Sequence, residues 1–182
     1  MPKEVSQLFE LLYNLCSVRG YKTVVKFFPH EAADMEPCVE MLHFQSDAEE
    51  YWIQCMLTLW LSLIVIVPFD IQTIDSKKEG DSYDILVKRI INIGKEHIYD
   101  TGKLRDYNAV LLSKLLTRPD VIKLGETDLF LKEMAEDFMK YKEDSNKMFH
   151  VSGILQTLVE VFKIGHRDDF LSKIDILFEP IL

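Results

Sequence analysis

The sequence predicts an all-helical fold. Apolar residues recur at three- and four-residue spacings along most of the chain, which is the pattern of one face of a helix. No stretch alternates strictly between apolar and polar residues with turn signals at both ends, so no sheet is expected. Glycines and prolines interrupt the helical pattern at short intervals. The chain should therefore fold as many short or medium helices.

The run from Tyr51 to Asp70 is predicted to be the central helix of the core. It is apolar on every side, so it must be surrounded by other helices or by lipid. The near-continuous apolar part, Cys55 to Val67, is shorter than the about 20 residues that a membrane span needs. We therefore expect the centre of a soluble core, with the following side chains buried: Trp52, Leu59, Trp60 and Leu63.

Two helices and a short segment are predicted before the central helix. The short segment, Tyr21 to Phe28, is closed by Pro29, because the residue before a proline is biased away from helical geometry. The next helix begins around Asp34 to Pro37 and ends near Gln45 and Ser46. The first helix of the chain ends at Gly20 and has an apolar face made of Val5, Leu8, Phe9, Leu12, Leu15 and Cys16.

The second half of the chain is predicted to contain one polar loop and five helices. Asp70 to Asp81 is polar and ends in charged residues and glycine, as in an exposed loop. Ser82 can cap the helix that follows, which carries apolar residues from Ile85 to Ile93 and reaches His97 before Gly102. The next helix runs from Lys103 to Leu116 and stops at Thr117 to Asp120, and the last one runs from Arg167 to Phe178.

Two further helices are predicted between them, each with an apolar stripe. The first opens at Thr127 or Asp128, and its stripe consists of Leu129, Leu131, Met134, Phe138 and Tyr141. The second runs from Ser145 or Asn146 to Gly165, and its inward residues are Val151, Ile154, Leu155, Leu158, Val161 and Phe162.

The succession of these helices indicates a repeat architecture. Helix pairs joined by short loops recur about every 40 residues, which is the period of HEAT and armadillo repeats. We expect an α-solenoid of antiparallel helix pairs with roughly eight to ten helices, in which residues 1–182 form a single helical-repeat segment. A four-helix bundle is the alternative, although it would need fewer, longer and more even helices.

Composition limits the possible partners and the compartment. The 182 residues are 48% hydrophobic, which allows one domain with a substantial core. The net charge of -9 argues against non-specific attraction to nucleic acid or to anionic membranes. The three cysteines are an odd number without a disulfide spacing, which fits the reducing cytoplasm. The first residues lack the pattern of a signal peptide, so the chain is not expected to be secreted.

Motifs for catalysis or phosphate binding are absent from the sequence. A phosphate-binding loop needs several glycines, but Arg89 and His97 occupy the first-glycine positions before Gly94-Lys95 and Gly102-Lys103. The cysteines and histidines form no local motif for a nucleophile and its base. We therefore expect neither an enzyme nor a bound cofactor.

One cluster offers metal-ligand types close together in sequence. It lacks the paired short spacings of a structural zinc site, so no metal is expected. Cys38 is better interpreted as a small core residue, and the two histidines as residues at helix ends. The cluster consists of His30, Cys38 and His43 with Glu31, Asp34 and Glu40.

Charged residues at helix ends are the candidate functional residues. Arg105 and Asp106 begin one predicted helix, and Arg118 and Asp120 flank a proline after it. In stacked helical repeats such residues often pair with the next repeat and satisfy helix-end groups. They could instead form a partner surface, because arginine in a loop commonly anchors protein interfaces. Both interpretations stay open.

Several separated blocks of sequence resemble one known family, tubulin-folding cofactor D (tubulin-specific chaperone D). They occur in the family's order over essentially the whole chain, and the differences lie mainly in the loops Gln45 to Glu50, Gln72 to Asp81 and Asp144 to Phe149. Family members are much longer, so the resemblance implies a fragment from the N-terminal half. The blocks are Val18 to Thr23, Phe27 to Glu31, Leu59 to Ser62, Val67 to Asp70, Leu104 to Asp106, Leu116 to Val121, Gly153 to Leu158 and Phe162 to Asp169.

The resemblance implies a cytoplasmic, non-catalytic chaperone. Such a protein would bind β-tubulin and, with other tubulin-folding cofactors and a small Arf-like GTPase, assemble or disassemble the αβ-tubulin heterodimer. Association with microtubules or centrosomes would follow. A helical scaffold or transport adaptor for other proteins is the competing class.

Charge suggests which residues would face such a partner. Tubulin is acidic and so is this chain, so overall attraction is not available and local basic residues are needed. The candidates are Arg105, Arg118, Lys163 and Arg167, with Asp120 beside them.

The two ends of the chain are expected to carry uncovered apolar surface. Val5 to Leu15 and Phe170 to Phe178 each present an apolar face of the kind that an internal repeat covers with its neighbour. Such patches tend to drive association. We therefore expect the chain to self-associate or to pack through its ends.

Overall fold

The computed structural model describes residues 3–44, 51–76 and 85–181, with the side chains of 178–181 excluded. Within these ranges every regular element is helical, which confirms the predicted all-helical class. Twelve α-helices are present there, more than the predicted eight to ten, because several elements are only one helical turn long. In the part of the chain that the structure describes, no helix is both long and apolar enough to cross a membrane.

The chain divides into two compact units, Met1–Ile93 and Gly94–Leu182. The first unit contains α1 (Lys3–Arg19), α2 (Tyr21–Val24), α3 (Met35–Phe44), α4 (Tyr51–Ile64), α5 (Ile71–Ile74) and most of α6 (Leu86–Glu96). The second contains α7 (Lys103–Leu116), α8 (Pro119–Lys123), α9 (Glu126–Tyr141), α10 (Met148–Ile164), α11 (Arg167–Leu171) and α12 (Ile174–Ile181).

The core of the first unit is built around α4, as the apolar run predicted. Helices α1 and α3 pack against α4, and ten of its 14 residues are buried. The prediction is confirmed for Leu59, but Trp52, Trp60 and Leu63 are only half-buried. Trp60 lies at the edge of the core because its indole N–H donates to the carbonyl of Pro29, 2.6 Å away, in an exposed loop. The helix also ends at Ile64, earlier than the predicted run.

The core of the second unit is formed by α7, α9, α10 and α12. Helix α7 packs along α10, and α9 packs against both α10 and α12. The bounds of α7 agree with the predicted Lys103 to Leu116. Two side chains predicted to point inward, Leu129 and Leu155, are exposed, because α9 and α10 are apolar over more of their circumference than their neighbours cover.

Several predicted boundaries are wrong. The predicted loop after Asp70 contains the short helix α5. Helix α7 stops before Thr117, as predicted, but Pro119 then begins the short helix α8, which was not predicted, since proline fits the first turn of a helix. The last predicted helix is two helices, and Lys173 in the turn between them is buried and pairs with Asp128 of α9.

The ends of some other elements also differ from the predictions. Helix α9 begins at Glu126, one residue before the predicted opening, and the buried hydroxyl of Thr127 donates to the carbonyl of Leu116 (2.8 Å). The backbone N–H of Leu86, at the start of α6, donates to the carboxylate of Asp75 (2.9 Å). The predicted cap Ser82 and the predicted helix end at Gln45 and Ser46 lie outside the described residues.

The two predicted apolar ends have different outcomes. On α1, Val5, Leu8 and Leu15 are exposed, as expected of an uncovered face. At the other end the expectation is wrong for Phe170, which is buried. Its ring packs edge-on against Phe162, with the centroids 5.4 Å apart.

Candidate protein interface

The outward side of α10 presents apolar and polar side chains together. Val159 is 61% exposed and Leu155 is 40% exposed, so α10 presents branched apolar side chains to solvent although its other side is buried. Residues three, four and seven apart share one side of a helix. We call this surface the α10 face, and it comprises Leu155, Gln156, Val159, Glu160 and Lys163.

Hydrogen bonds connect the polar residues of the α10 face to each other and to α7. The amide of Gln156 donates to a carboxylate oxygen of Asp106 at 2.6 Å, which brings Asp106 to the edge of the face. The ammonium of Lys163 lies 3.0 Å from the carboxylate of Glu160, one helical turn earlier. Both contacts are exposed, and exposed pairs contribute only roughly 0 to 1 kcal/mol, so these side chains can rearrange toward a partner.

Arg105 lies against α10 rather than in open solvent. A β-carbon built on Gly153 would lie 3.5 Å from its Cδ atom, so the aliphatic part of Arg105 passes beside the glycine. Its Nε atom is buried and has no hydrogen-bond partner within the described part of the chain. The residue is therefore half-buried between α7 and α10.

Arg118 and Asp120 pair with each other at the start of α8. The guanidinium donates two hydrogen bonds to the carboxylate, Nε to Oδ1 and the second from a terminal nitrogen to Oδ2, both at 2.9 Å. The two side chains are only 11% and 10% exposed. This two-point geometry fixes the turn between α7 and α8, since such bidentate pairs are among the stronger and more directional contacts in proteins.

Arg167 is the first residue of α11 and is exposed. It follows α10 by a short turn through Gly165 and His166. The structure thus places four of the six candidate residues on or next to α10, namely Arg105, Asp106, Lys163 and Arg167. The remaining two are the pair Arg118 and Asp120 at the start of α8.

The cluster with metal-ligand types does not converge. The Cys38 thiol is buried in the core and donates to the carbonyl of Leu57, at 3.6 Å, while His30 and His43 are exposed. Burial, with a smaller contribution from Asp34, raises the pKa of Cys38 to about 12, so the thiol stays protonated at neutral pH. Among the described residues, no group of three or more histidine, cysteine or acidic side chains is placed to hold a metal ion.

An aromatic cluster in the second unit was not anticipated from the sequence. The ring of Tyr99 stacks on His150, with centroids 4.7 Å apart, and Tyr141 packs edge-on against Tyr99 at 6.1 Å. The Tyr99 hydroxyl donates to Asp137. Burial, followed by this hydrogen bond, raises the pKa of Tyr99 well above its usual value. The cluster holds the turn after α6 against α9 and α10. Its residues are far apart in the chain, so no local pattern in the sequence predicts that they meet.

The α10 face was also missed, because helical spacing alone made Leu155 appear to be a core residue. The exposure of Leu155 follows from an apolar circumference of α10 that is wider than its neighbours α7 and α9 cover. The signal available in the sequence was Val159, which continues the apolar run of α10 outside the predicted inward set.

Comparison with known proteins gives consistent results. The model of the family "Tubulin-specific chaperone D-like, ARM repeat" matches residues 1–138. Tubulin-specific chaperone D of Dictyostelium discoideum is 27% identical over 270 aligned positions, covering 98% of this chain and 18% of that protein. Tubulin-folding cofactor D of Schizosaccharomyces pombe is 28% identical over 172 positions, covering 93% of this chain and 14% of that protein.

The chain thus spans less than a fifth of the length of these relatives. No solved structure matches it. The ARM-repeat match, together with the helical structure, confirms the predicted fold class, an armadillo- or HEAT-like α-solenoid.

Proposed function

Because the chain belongs to the tubulin-specific chaperone D-like ARM-repeat family, we propose that it is a non-catalytic segment of a tubulin chaperone and that it binds β-tubulin. In this proposal residues 1–182 form one helical-repeat segment of a longer solenoid. The whole protein assembles or disassembles the αβ-tubulin heterodimer in the cytoplasm, with other tubulin-folding cofactors and a small Arf-like GTPase, and associates with microtubules or centrosomes. The two relatives are a tubulin-specific chaperone and a tubulin-folding cofactor, which supports the tubulin-directed role.

The observation that supports a binding role most directly is the α10 face. Its exposed centre, Leu155 and Val159, is apolar, and its rim is polar through Gln156 and Lys163. Protein interfaces typically combine an apolar centre with a polar rim. A helix with this surface can dock on another protein while its opposite side remains packed in the core of its own unit.

Charge favours a particular part of this surface. Both tubulin and this chain are acidic, the latter with a net charge of -9, so they repel each other at long range. Local cations must then provide the attraction at contact. Lys163 and Arg167 are the exposed basic residues on and directly after α10, so we assign them this role. Arg118 and Asp120 are assigned to fold stability, because their charges are satisfied by each other.

Binding of purified αβ-tubulin and of isolated β-tubulin to the 182-residue chain tests this proposal. Val159→Asp should weaken binding about tenfold or more, because it places a charge at the centre of the interface. Leu129→Asp is the matched control, since Leu129 is similarly exposed but lies on α9. Asp120→Asn should lower the melting temperature and leave binding unchanged, because it removes the part-buried carboxylate charge that pairs with Arg118 inside the chain.

Three results would contradict the proposal. The wild-type chain could fail to bind tubulin, which would favour a scaffold or adaptor for other proteins. Val159→Asp and Leu129→Asp could weaken binding equally, which would remove the α10 face from the interface. Asp120→Asn could abolish binding in a chain that remains folded, which would return Arg118 and Asp120 to the partner surface.

A further inference from the structure

Helix α1 carries an apolar surface that its own unit does not use. Cys16 is the buried residue of this 17-residue helix, and α1 contacts α4 through the side that carries Tyr13, whose ring packs edge-on against Tyr51 at 6.0 Å. A second row of apolar side chains is exposed by between 37% at Val5 and 82% at Val18. We call this row the α1 stripe, and it consists of Val5, Leu8, Leu11, Leu15 and Val18.

The α1 stripe has nearly the same residues when it is read from either end. Val5 and Val18 are equally far from a point between Leu11 and Leu12, and so are Leu8 and Leu15. The pattern is therefore symmetric about the middle of the helix, apart from the half-buried Leu12. A surface with this property is complementary to a second copy of itself that runs in the opposite direction.

The charges at the two ends of the stripe obey the same symmetry with opposite signs. Glu4 precedes Leu8 by four residues and Arg19 follows Leu15 by four, so both lie on the side of the stripe and at equal distances from its centre. Both side chains are exposed. Helix α1 ends immediately after Arg19, where Gly20 adopts a φ of 83°, so the basic end of the stripe is also the end of the helix.

We propose that α1 is the docking surface for a second copy of this chain, through antiparallel, two-fold pairing of the two α1 helices. In this arrangement Glu4 of one copy meets Arg19 of the other at both ends, Val5 meets Val18, and Leu8 meets Leu15. The helix dipoles run in opposite directions, which is favourable. Parallel pairing would instead bring Glu4 to Glu4 and Arg19 to Arg19. This pairing is independent of tubulin binding and goes beyond the proposed function.

Sedimentation equilibrium of the 182-residue chain over a wide concentration range tests the pairing, and a monomer–dimer equilibrium is expected. Glu4→Arg and Arg19→Glu each create two like-charged pairs in the dimer, so each should raise the dimer Kd about tenfold or more. An equimolar mixture of the two variants should form a heterodimer of wild-type affinity, because the charges of one copy then complement those of the other. The double variant should also recover the wild-type Kd.

Glu10→Arg is the matched control, because Glu10 is exposed on the same helix but lies off the stripe. It should leave the dimer Kd unchanged. Circular dichroism establishes that each variant keeps its helix content, so a loss of dimer is not a loss of fold. The proposal is overturned if the wild-type chain is monomeric at every concentration or if the mixture of single variants does not recover affinity. It is also overturned if masses grow beyond a dimer, since pairing of α1 with the α10 face of another copy would give open chains.

Discussion

At the scale of single residues, polar side chains inside the two units bind backbone carbonyls of other elements. The Trp60 indole donates to Pro29, and the amide of the fully buried Asn108 donates to Gly94 at 2.6 Å. The buried thiol of Cys38 donates to Leu57. Each of these groups would be costly to bury without a partner, so each fixes one position of a neighbouring segment.

The buried thiol of Cys38 should make the stability of the chain depend on alkaline pH. Its pKa is raised from 9.0 to about 12 in the folded chain, so above pH 9 the unfolded chain releases a proton that the folded chain keeps. Stability from this group is therefore complete below pH 9 and declines toward pH 12, by up to ~1.4 kcal/mol per pH unit. The Cys38→Ala variant has no thiol at this position, so its stability lacks this decline at alkaline pH. Urea titrations at pH 8 and at pH 10.5 measure the free energy of unfolding of both chains, and the advantage of the wild type over the variant should be smaller at pH 10.5. Parallel pH profiles of the two chains would contradict the expectation.

The sequence was sufficient to predict that Cys38 is a core residue and that Leu59 is buried, because both lie on strongly apolar helices. It was not sufficient for Trp60, since the indole N–H finds its acceptor 31 residues earlier in the chain. Which carbonyl receives such a bond depends on how the segments meet, and residue spacing does not contain that information. The same limit explains the wrong expectation that Trp60 is fully buried.

At the scale of helices, close approach depends on residues without a side chain. Helix α10 passes next to the carbonyl of Ile98, and a β-carbon built on Gly153 would lie only 1.9 Å from that oxygen. On α6, a β-carbon on Gly94 would lie 2.4 Å from a methyl group of Leu112. Both glycines weaken their helices slightly as isolated segments, by about 1 kcal/mol relative to alanine. In the folded unit they allow α6 and α10 to approach their neighbours closely.

Gly153→Ala should therefore destabilise the chain, although alanine favours a helix. The added carbon meets a backbone carbonyl that cannot move cheaply, so we expect a loss of about 3 kcal/mol in the free energy of unfolding. Gly94→Ala should cost less, because the Leu112 side chain can change its rotamer. Ser152→Ala, at the exposed preceding position, is the control and should be neutral or slightly stabilising. Urea titrations in which Gly153→Ala and Ser152→Ala unfold together would show that α10 does not pass this close to Ile98.

Helix boundaries could be predicted where apolar spacing extends over several turns. Lys103–Leu116 was predicted with its observed bounds, and the end of α10 before Gly165 was also correct. The short helices α5 and α8 were missed, as was the break between α11 and α12, because one turn contains too few residues to show a period. Their existence depends on tertiary contacts, as the buried Val121 of α8 shows.

At the scale of the whole chain, we assign binding roles to two of the exposed apolar surfaces. The α1 stripe belongs to the first unit and the α10 face to the second. The general property of uncovered apolar surface was predictable from an apolar content of 48% in a chain of many amphipathic helices. The position of the α10 face was not predictable, since the sequence suggested Phe170 to Phe178 as the second uncovered surface and the structure buries Phe170. Family membership depended on ordered blocks of residues, because composition is shared by many helical proteins.

Net charge and local charge should affect tubulin binding through different rate constants. Lys163→Glu and Lys132→Glu change the net charge equally, and both lysines are exposed, but Lys163 lies on the α10 face and Lys132 on α9. Long-range repulsion between two acidic proteins acts on encounter, so both variants should lower the association rate constant to a similar extent at low salt. Contact interactions act on dissociation, so Lys163→Glu alone should raise the dissociation rate constant, about tenfold if Lys163 becomes desolvated in the complex.

Salt separates the two effects. Raising the salt concentration to 0.15 M, where the Debye length is about 8 Å, should remove most of the decrease in association rate that the two variants share and leave the difference in dissociation. Stopped-flow binding at two salt concentrations measures both constants, and equal dissociation rate constants for the two variants would place the basic contact outside α10.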